Sequence, residues 1–158
     1  MKTFRLKELS IISQEDNSLK RHHVKLTDGL IINKENELGN WLIEAIIPNE
    51  PIELLKELEQ QEEPFIIEAT ISREQNTPVP FSANIRKIKI LDEHTEILLD
   101  AKIIMKKDDL SDLLLEELIK EGLTGKALIQ EFKQAKAERG PSFLGIVDKE
   151  LKKAKSPL

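Results

Sequence analysis

The sequence predicts a mainly β protein with helices at its C-terminal end: an antiparallel barrel core of about seven or eight strands followed by a two-helix pair. Three observations predict it. The first two-thirds of the chain alternate apolar and polar residues with a period of two, which sends successive side chains to opposite faces of a strand. The connections between these runs are short, and short connections join antiparallel strands because parallel ones need long crossovers. From Asp108 onward the apolar spacing becomes helical.

The strand signal is clearest in Ile97, Leu99, Ala101, Ile103 and Met105, set against Asp100, Lys102 and Lys106. Phe65, Ile67, Ala69 and Ile71 repeat it against Glu68, Thr70 and Ser72, which should face water. Trp41, Ile43, Ala45 and Ile47 do so with a more apolar second face. Around Phe4, Leu6, Leu9 and Ile11 the phase slips by one residue, which predicts a β-bulge near Lys7 and Glu8. Turn signals at QEDNS, Asp28-Gly29, Leu38-Gly39-Asn40 and LDEHTE separate the runs, and connections this short suggest an up-and-down order. One helix interrupts them. NEPIELLKELEQQ offers Asn49 as a cap, Pro51 in the first turn, and Ile52, Leu55 and Leu58 at helical spacing, predicting a short helix near 51–60 that plugs or flanks the barrel.

Asp108, Asp109 and Ser111 offer caps and acidic charge at the positive end of a helix dipole. Leu110, Leu113, Leu114 and Leu118 then form one stripe, widened by Leu115 and Ile119. A second helix starts near Thr124 with Leu128, Phe132 and Ala135 inward, and it ends before Gly140-Pro141. Ser142 can cap a third short segment carrying Phe143, Ile146, Val147 and Leu151, weakened by Gly145, ahead of the basic tail LKKAKSPL. The expected division is a barrel core over 1–107 and a helical part over 108–158, packed on the core as one unit.

Between the two helices, EGLTGKAL resembles a phosphate-binding loop, which needs G-x-x-x-x-G-K-[ST] between a strand and a helix. Here Lys120 holds the first position and Ala127 the last. As a hinge the residues fit: Gly122 can take the left-handed conformation that ends one helix, and Thr124 can cap the next. Thr124 and Lys126 remain a candidate anion contact at a helix start.

The 158 residues are 34% charged and 39% hydrophobic, enough apolar content for one core, and the formal net charge of -5 argues against extended phosphate tracking. Arg86, Lys87 and Lys89 share one strand, but single-strand binders stack bases on aromatics, and the chain has no tyrosine, one tryptophan and five phenylalanines. Nucleic acid is therefore not an expected partner. The absence of cysteine excludes disulfides and fits a reducing compartment. The N-terminus has no uninterrupted apolar run of the secretory kind, and no stretch approaches the roughly 20 apolar residues of a membrane span. The expectation is a cytoplasmic protein without a membrane role.

His22 and His23 are neighbours on one strand, so their rings should point to opposite faces. His94 sits in an acidic turn of Asp92, Glu93, Thr95 and Glu96, too short to fix a metal's geometry alone. The sequence has no glycine-rich nucleotide fingerprint, nucleophile elbow or helical His-Glu zinc motif. It therefore assigns no catalytic residue, metal ligand or cofactor.

Taken in order around a β-rich middle, MKTFRLKELSII, LTDGLIINKE and RGPSFLGIVDKELKKA resemble the YwpF-like family of small Gram-positive bacterial proteins. The resemblance implies a β-barrel core followed by a helix pair, the barrel being similar in shape to tube-forming proteins of type VI secretion systems. It supplies no functional residues, and none are transferred. The expected function is a non-enzymatic protein-interaction or assembly module, with a protein partner or a second copy docking on Leu110, Leu114, Leu115, Leu118 and Ile119. The alternative is a barrel that binds a small ligand or anion at its mouth near Pro78 to Phe81, or at Thr124 and Lys126.

Overall fold

The computed structural model describes residues 1–50, 52–105 and 107–155, apart from the side chains of residues 107, 108, 154 and 155. The described elements run β1 (Lys2–Glu15), β2 (Ser18–Val24), β3 (Asp28–Asn33), β4 (Asn40–Ile47), α1 (Glu53–Gln60), β5 (Phe65–Ile71), β6 (Val79–Ile90), β7 (Thr95–Ile103), α2 (Lys107–Lys120), α3 (Gly125–Glu138) and α4 (Pro141–Lys155). They fall into two compact units, Met1–Ser13 with Lys20–Ile103, and Gln14–Leu19 with Ile104–Leu158.

In the first unit the strand order is β2-β1-β3-β4-β7-β6-β5, and β5 pairs back onto β1. Six antiparallel strands therefore close into a barrel, and β2 lies outside it as the terminal strand. The expected up-and-down order is corrected: β3, not β2, sits beside β1 in the barrel, and β7 docks on β4 from Asn40↔Lys102 to Ile47↔Thr95. Short connections fix antiparallel direction but not which strands become neighbours. Within the barrel β1 serves two of them, pairing Lys2–Arg5 with β3 and Leu6–Ile12 with β5. The expected bulge lies between Leu6 and Glu8. A second bulge, between Ile85 and Lys87, makes Arg86 the extra residue of β6.

The barrel interior is layered by register. Ile31 faces Ile43, Ile43 faces Leu99 and Leu99 faces Ile85, giving one apolar ring across four strands. In another layer Trp41 faces Ala101, which faces Ala83, which faces Phe65. Small residues beside large ones let a narrow barrel fill without overlap. Trp41 stacks on Phe4 with centroids 6.4 Å apart and forms a T-shaped pair with Phe81 at 5.5 Å, favourable geometries for aromatic quadrupoles.

Gly29 is buried opposite Ala45, and a Cβ placed on it would stand 3.0 Å from both Cβ and Cδ2 of Leu6. Gly29→Ala should therefore cost about 1–3 kcal/mol by overpacking. Urea unfolding will measure it, and an unchanged midpoint would show that Leu6 gives way.

Several strand expectations are corrected. β5 is buried on both faces, including Ile66, Glu68 and Thr70. FIIEATI carries apolar residues at both parities, the composition of a doubly covered strand. On its outer face Ile66 meets Ile12, and Glu68 meets Ser10. β7 ends at Ile103, which is exposed, so Met105 lies beyond the strand, while Lys106 is outside the described residues. α1 begins at Glu53 after Ile52, with no side-chain cap. Asn49 instead spans to the β6–β7 turn, donating to the Leu91 and Asp92 carbonyls at 3.0 and 3.1 Å and accepting from Thr95 Oγ1 at 2.8 Å. A buried threonine hydroxyl and an open turn satisfy that amide better than one helix amide would. Pro51 is outside the described residues. Leu55 and Leu58 join the barrel's buried cluster.

In the second unit Gly122 ends α2 at φ 92°. Its N–H donates to the Ile119 carbonyl at 3.0 Å, and the Leu123 N–H donates to Leu118 at 3.3 Å. This pair of bonds is the Schellman motif expected of a glycine hinge. α3 stops at Arg139, itself left-handed at φ 53°, with its guanidinium 4.9 Å from the Phe143 ring. The expected two-helix pair is extended: α4 is a full helix despite Gly145, and Phe143, Leu144, Ile146, Val147 and Leu151 are buried. Burying five apolar side chains outweighs the roughly 1 kcal/mol that an interior glycine costs.

Candidate functional site

On α2, Leu110, Leu114 and Leu118 recur every four residues and are buried. Leu115 and Ile119 each lie one position later, a rotation of about 100° around the helix. Leu115 is half-buried and Ile119 is 53% exposed. On α3 none of the 14 residues is buried: Leu128, Phe132 and Ala135 are half-covered, and Ile129 is 56% exposed. The two helices touch each other. Their open charges mainly differ in sign, with Asp109, Asp112 and Glu116 on α2 against Lys126, Lys133 and Lys136 on α3, the exceptions being Lys120 on α2 and Glu131 and Glu138 on α3.

Thr124 occupies the N-cap position of α3, but its hydroxyl makes no capping bond. The expected cap is thus corrected. Gly125 enters the helix at φ 57°, a left-handed entry that does not reproduce the amide geometry of an ordinary N-cap. Thr124 and Lys126 are exposed. They form a helix start and do not converge with another element.

The barrel-mouth loop expected near Pro78 to Phe81 is also corrected, because Val79 already begins β6 and Phe81 is fully buried against Trp41. Two clefts lie elsewhere on the first unit. One, of about 460 Å³, separates β2 from α1 at the end of β4 and has an apolar floor of Ile11, Ile47 and Leu55. Four consecutive residues, His22 to Lys25, line it, so β2 presents its backbone edge there as well as side chains. The histidine rings do take opposite faces: His22 Nε2 lies 2.7 Å from Ser13 Oγ, and His23 Nδ1 lies 3.5 Å from Ser10 Oγ. On the outer face, Arg21 forks onto the buried Glu68 carboxylate at 2.6 and 3.3 Å.

The second cleft, of about 430 Å³, lies at the start of β4 on the outer face of β4, β7 and β6. Lys34 hydrogen-bonds through its backbone to the Asn40 carbonyl at 3.1 Å, Asn40 faces Lys102, and Lys102 faces Ser82. The next row sets Asp100 against Asn84. Arg86 forks onto Asp100 with Nε–Oδ2 of 3.1 Å and Nη2–Oδ1 of 3.0 Å. Beside Lys34, Glu35 accepts a 2.9 Å bond from the N-terminal ammonium and lies 3.5 Å from Lys2 Nζ. The ammonium bond holds the Glu35 carboxyl below its ordinary pKa.

These residues were visible in the sequence only as the wet face of a strand. What signalled more was the parity change from Ile85 to Ile88, the trace of the bulge that leaves Arg86 without a cross-strand partner. His94 lies 3.9 Å from Glu96, and among the described residues no three histidine, aspartate or glutamate side chains gather as a metal site. No described helix is long and apolar enough to cross a membrane.

Three comparisons agree on kinship. The model of the YwpF-like protein family matches residues 2–135. The "Uncharacterized protein YwpF" of Bacillus subtilis (strain 168) is 35% identical over 136 residues, 85% of this chain and 98% of that protein. The crystal structure of a hypothetical protein from Staphylococcus aureus superposes with a TM-score of 0.63 at 31% identity, covering 89% of this chain and 96% of that one. Family match and full-length relative together show that this chain belongs to the YwpF-like family.

Proposed function

We propose that this protein is a non-enzymatic assembly module that associates with a second copy of itself through the α2–α3 hairpin. The observation that carries the reading is α3, a 14-residue amphipathic helix without one buried residue, lying beside the exposed Ile119. Helices of this kind gain most of their stability from burying an apolar face, and here Ile129 and Ile119 leave that face open. A second copy supplies the missing cover. The acidic surface of α2 and the mainly basic surface of α3 complement each other when a two-fold axis sets α2 of one copy against α3 of the other.

A two-fold pairing of this surface with itself closes a dimer, whereas a ring needs two different matched faces. The likeness of the barrel to type VI tube proteins that the family resemblance implies is in keeping with assembly, and the cysteine-free chain supports a cytoplasmic setting. Light scattering after size exclusion tests the reading on the full chain. A dimer that becomes a monomer in Ile119→Lys/Ile129→Lys, with unchanged circular dichroism, is the expected result. A wild-type chain that stays monomeric up to high micromolar concentration would sink it.

A further inference from the structure

We propose that the polar cleft at the start of β4 is a binding site for a small phosphate-bearing ligand, held by Lys34 and Lys102. Register brings the two lysines together: Lys34 is tied by its backbone to Asn40, and Asn40 is the direct cross-strand partner of Lys102. Two carboxylates close to them already have cations of their own. Asp100 is forked by Arg86, and Glu35 is taken by the N-terminal ammonium and Lys2. Among the described residues, neither Lys34 nor Lys102 is in an ion pair.

Lys34 and Lys102 thus line one concave site whose carboxylate, Asp100, is already held by Arg86, on a chain whose net charge is -5. Two cations at close quarters repel, and an anion between them relieves the repulsion and adds two charge-assisted hydrogen bonds. The bulge completes the arrangement. Arg86, left without a cross-strand partner there, forks onto Asp100 and neutralises a carboxylate that would otherwise compete for the lysines.

The site is larger than an ion needs. At about 430 Å³ it falls in the range of small-molecule pockets, roughly 300–1,000 Å³. Ser82 and Asn40 add neutral polar groups for the hydroxyls of a compact organic phosphate. A nucleic-acid strand is a poorer occupant, because the Trp41 ring is engaged by Phe4 and Phe81 and offers no stacking platform. The proposal does not depend on self-association, which uses other residues.

Isothermal titration calorimetry on the full chain at low salt tests it, with inorganic pyrophosphate as the probe and citrate as a carboxylate of similar charge. The expected result is one saturable pyrophosphate site per chain. Lys34→Ala/Lys102→Ala should weaken it at least about tenfold, as loss of charge-assisted bonds requires, while Lys133→Ala/Lys136→Ala on α3 leaves it unchanged. Circular dichroism melts of both variants establish that each is folded. The absence of saturable binding at millimolar pyrophosphate would overturn the proposal. So would equal loss in both double variants, which marks diffuse charge, and so would binding of citrate without pyrophosphate.

Discussion

Phe81→Ala is expected to destabilise the protein by about 3–5 kcal/mol, the usual cost of deleting a buried aromatic. Phe81 is fully buried, and its ring packs edge-to-face with that of Trp41, the centroids 5.5 Å apart. The loss has two parts, the transfer of the ring back to water and the cavity that remains. The cavity should persist here. Its walls are strands of a closed barrel pinned by register on both sides, from Ile67↔Phe81 to Phe81↔Ile103, so they cannot move in independently. Trp41 is the single tryptophan, so its fluorescence during urea unfolding reports both the stability and the disturbed packing. Ile90→Ala, at a 52% exposed position, should stay within about 0.5 kcal/mol of the parent. A Phe81→Ala cost below about 1 kcal/mol would mean that Trp41 swings into the space and that the interior is less rigid than its layers imply.

The same layers explain how much of the fold the sequence discloses. Alternation located the strands, because one side of a barrel wall is always dry, and the phase slip at Lys7 and Glu8 located one bulge. The second left an equal trace, since the inward positions run Phe81, Ala83, Ile85 and then Ile88. Neighbour order left none. Whether β7 pairs with β4 depends on contacts between residues far apart in the chain, and period-two patterns are the same for every arrangement that keeps the faces.

Site residues divide along the same line. Leu110, Leu114 and Leu118 were legible as one helix face because four-residue spacing returns to it, but their expected place in a docking surface is corrected, since all three are buried. Leu115 and Ile119 were legible as the stripe's excess, and they are its half-buried and exposed members. Lys34 and Lys102 were not legible as a pair. They come from segments 68 residues apart in number, brought side by side only by the β4–β7 register. Asn49 misled for a different reason: its position before a helix has a local explanation, and a better tertiary one replaced it in Leu91, Asp92 and Thr95.

Arg21→Ala is the second large effect, expected near 3 kcal/mol, because it removes the guanidinium from a carboxylate that stays buried. Glu68 is 3% exposed and receives Arg21 Nε at 2.6 Å and Nη2 at 3.3 Å. The estimate sits at the low end of the range for broken buried pairs because the Arg21 side chain is 31% exposed, so water screens part of the attraction. The asymmetry of the pair makes a sharper test than the magnitude. Removing Arg21 takes the forked guanidinium from a carboxylate in a place water reaches poorly, whereas Glu68→Gln keeps a cation whose side chain already reaches water, so the arginine variant should be the less stable. Arg21→Met/Glu68→Met removes both charges and both desolvation costs, and it should recover most of the loss. If the double variant is instead as unstable as Arg21→Ala, the pair contributes net attraction beyond its desolvation cost, and the outer face of β5 depends on that ion pair more than on the apolar contact of Ile12 with Ile66.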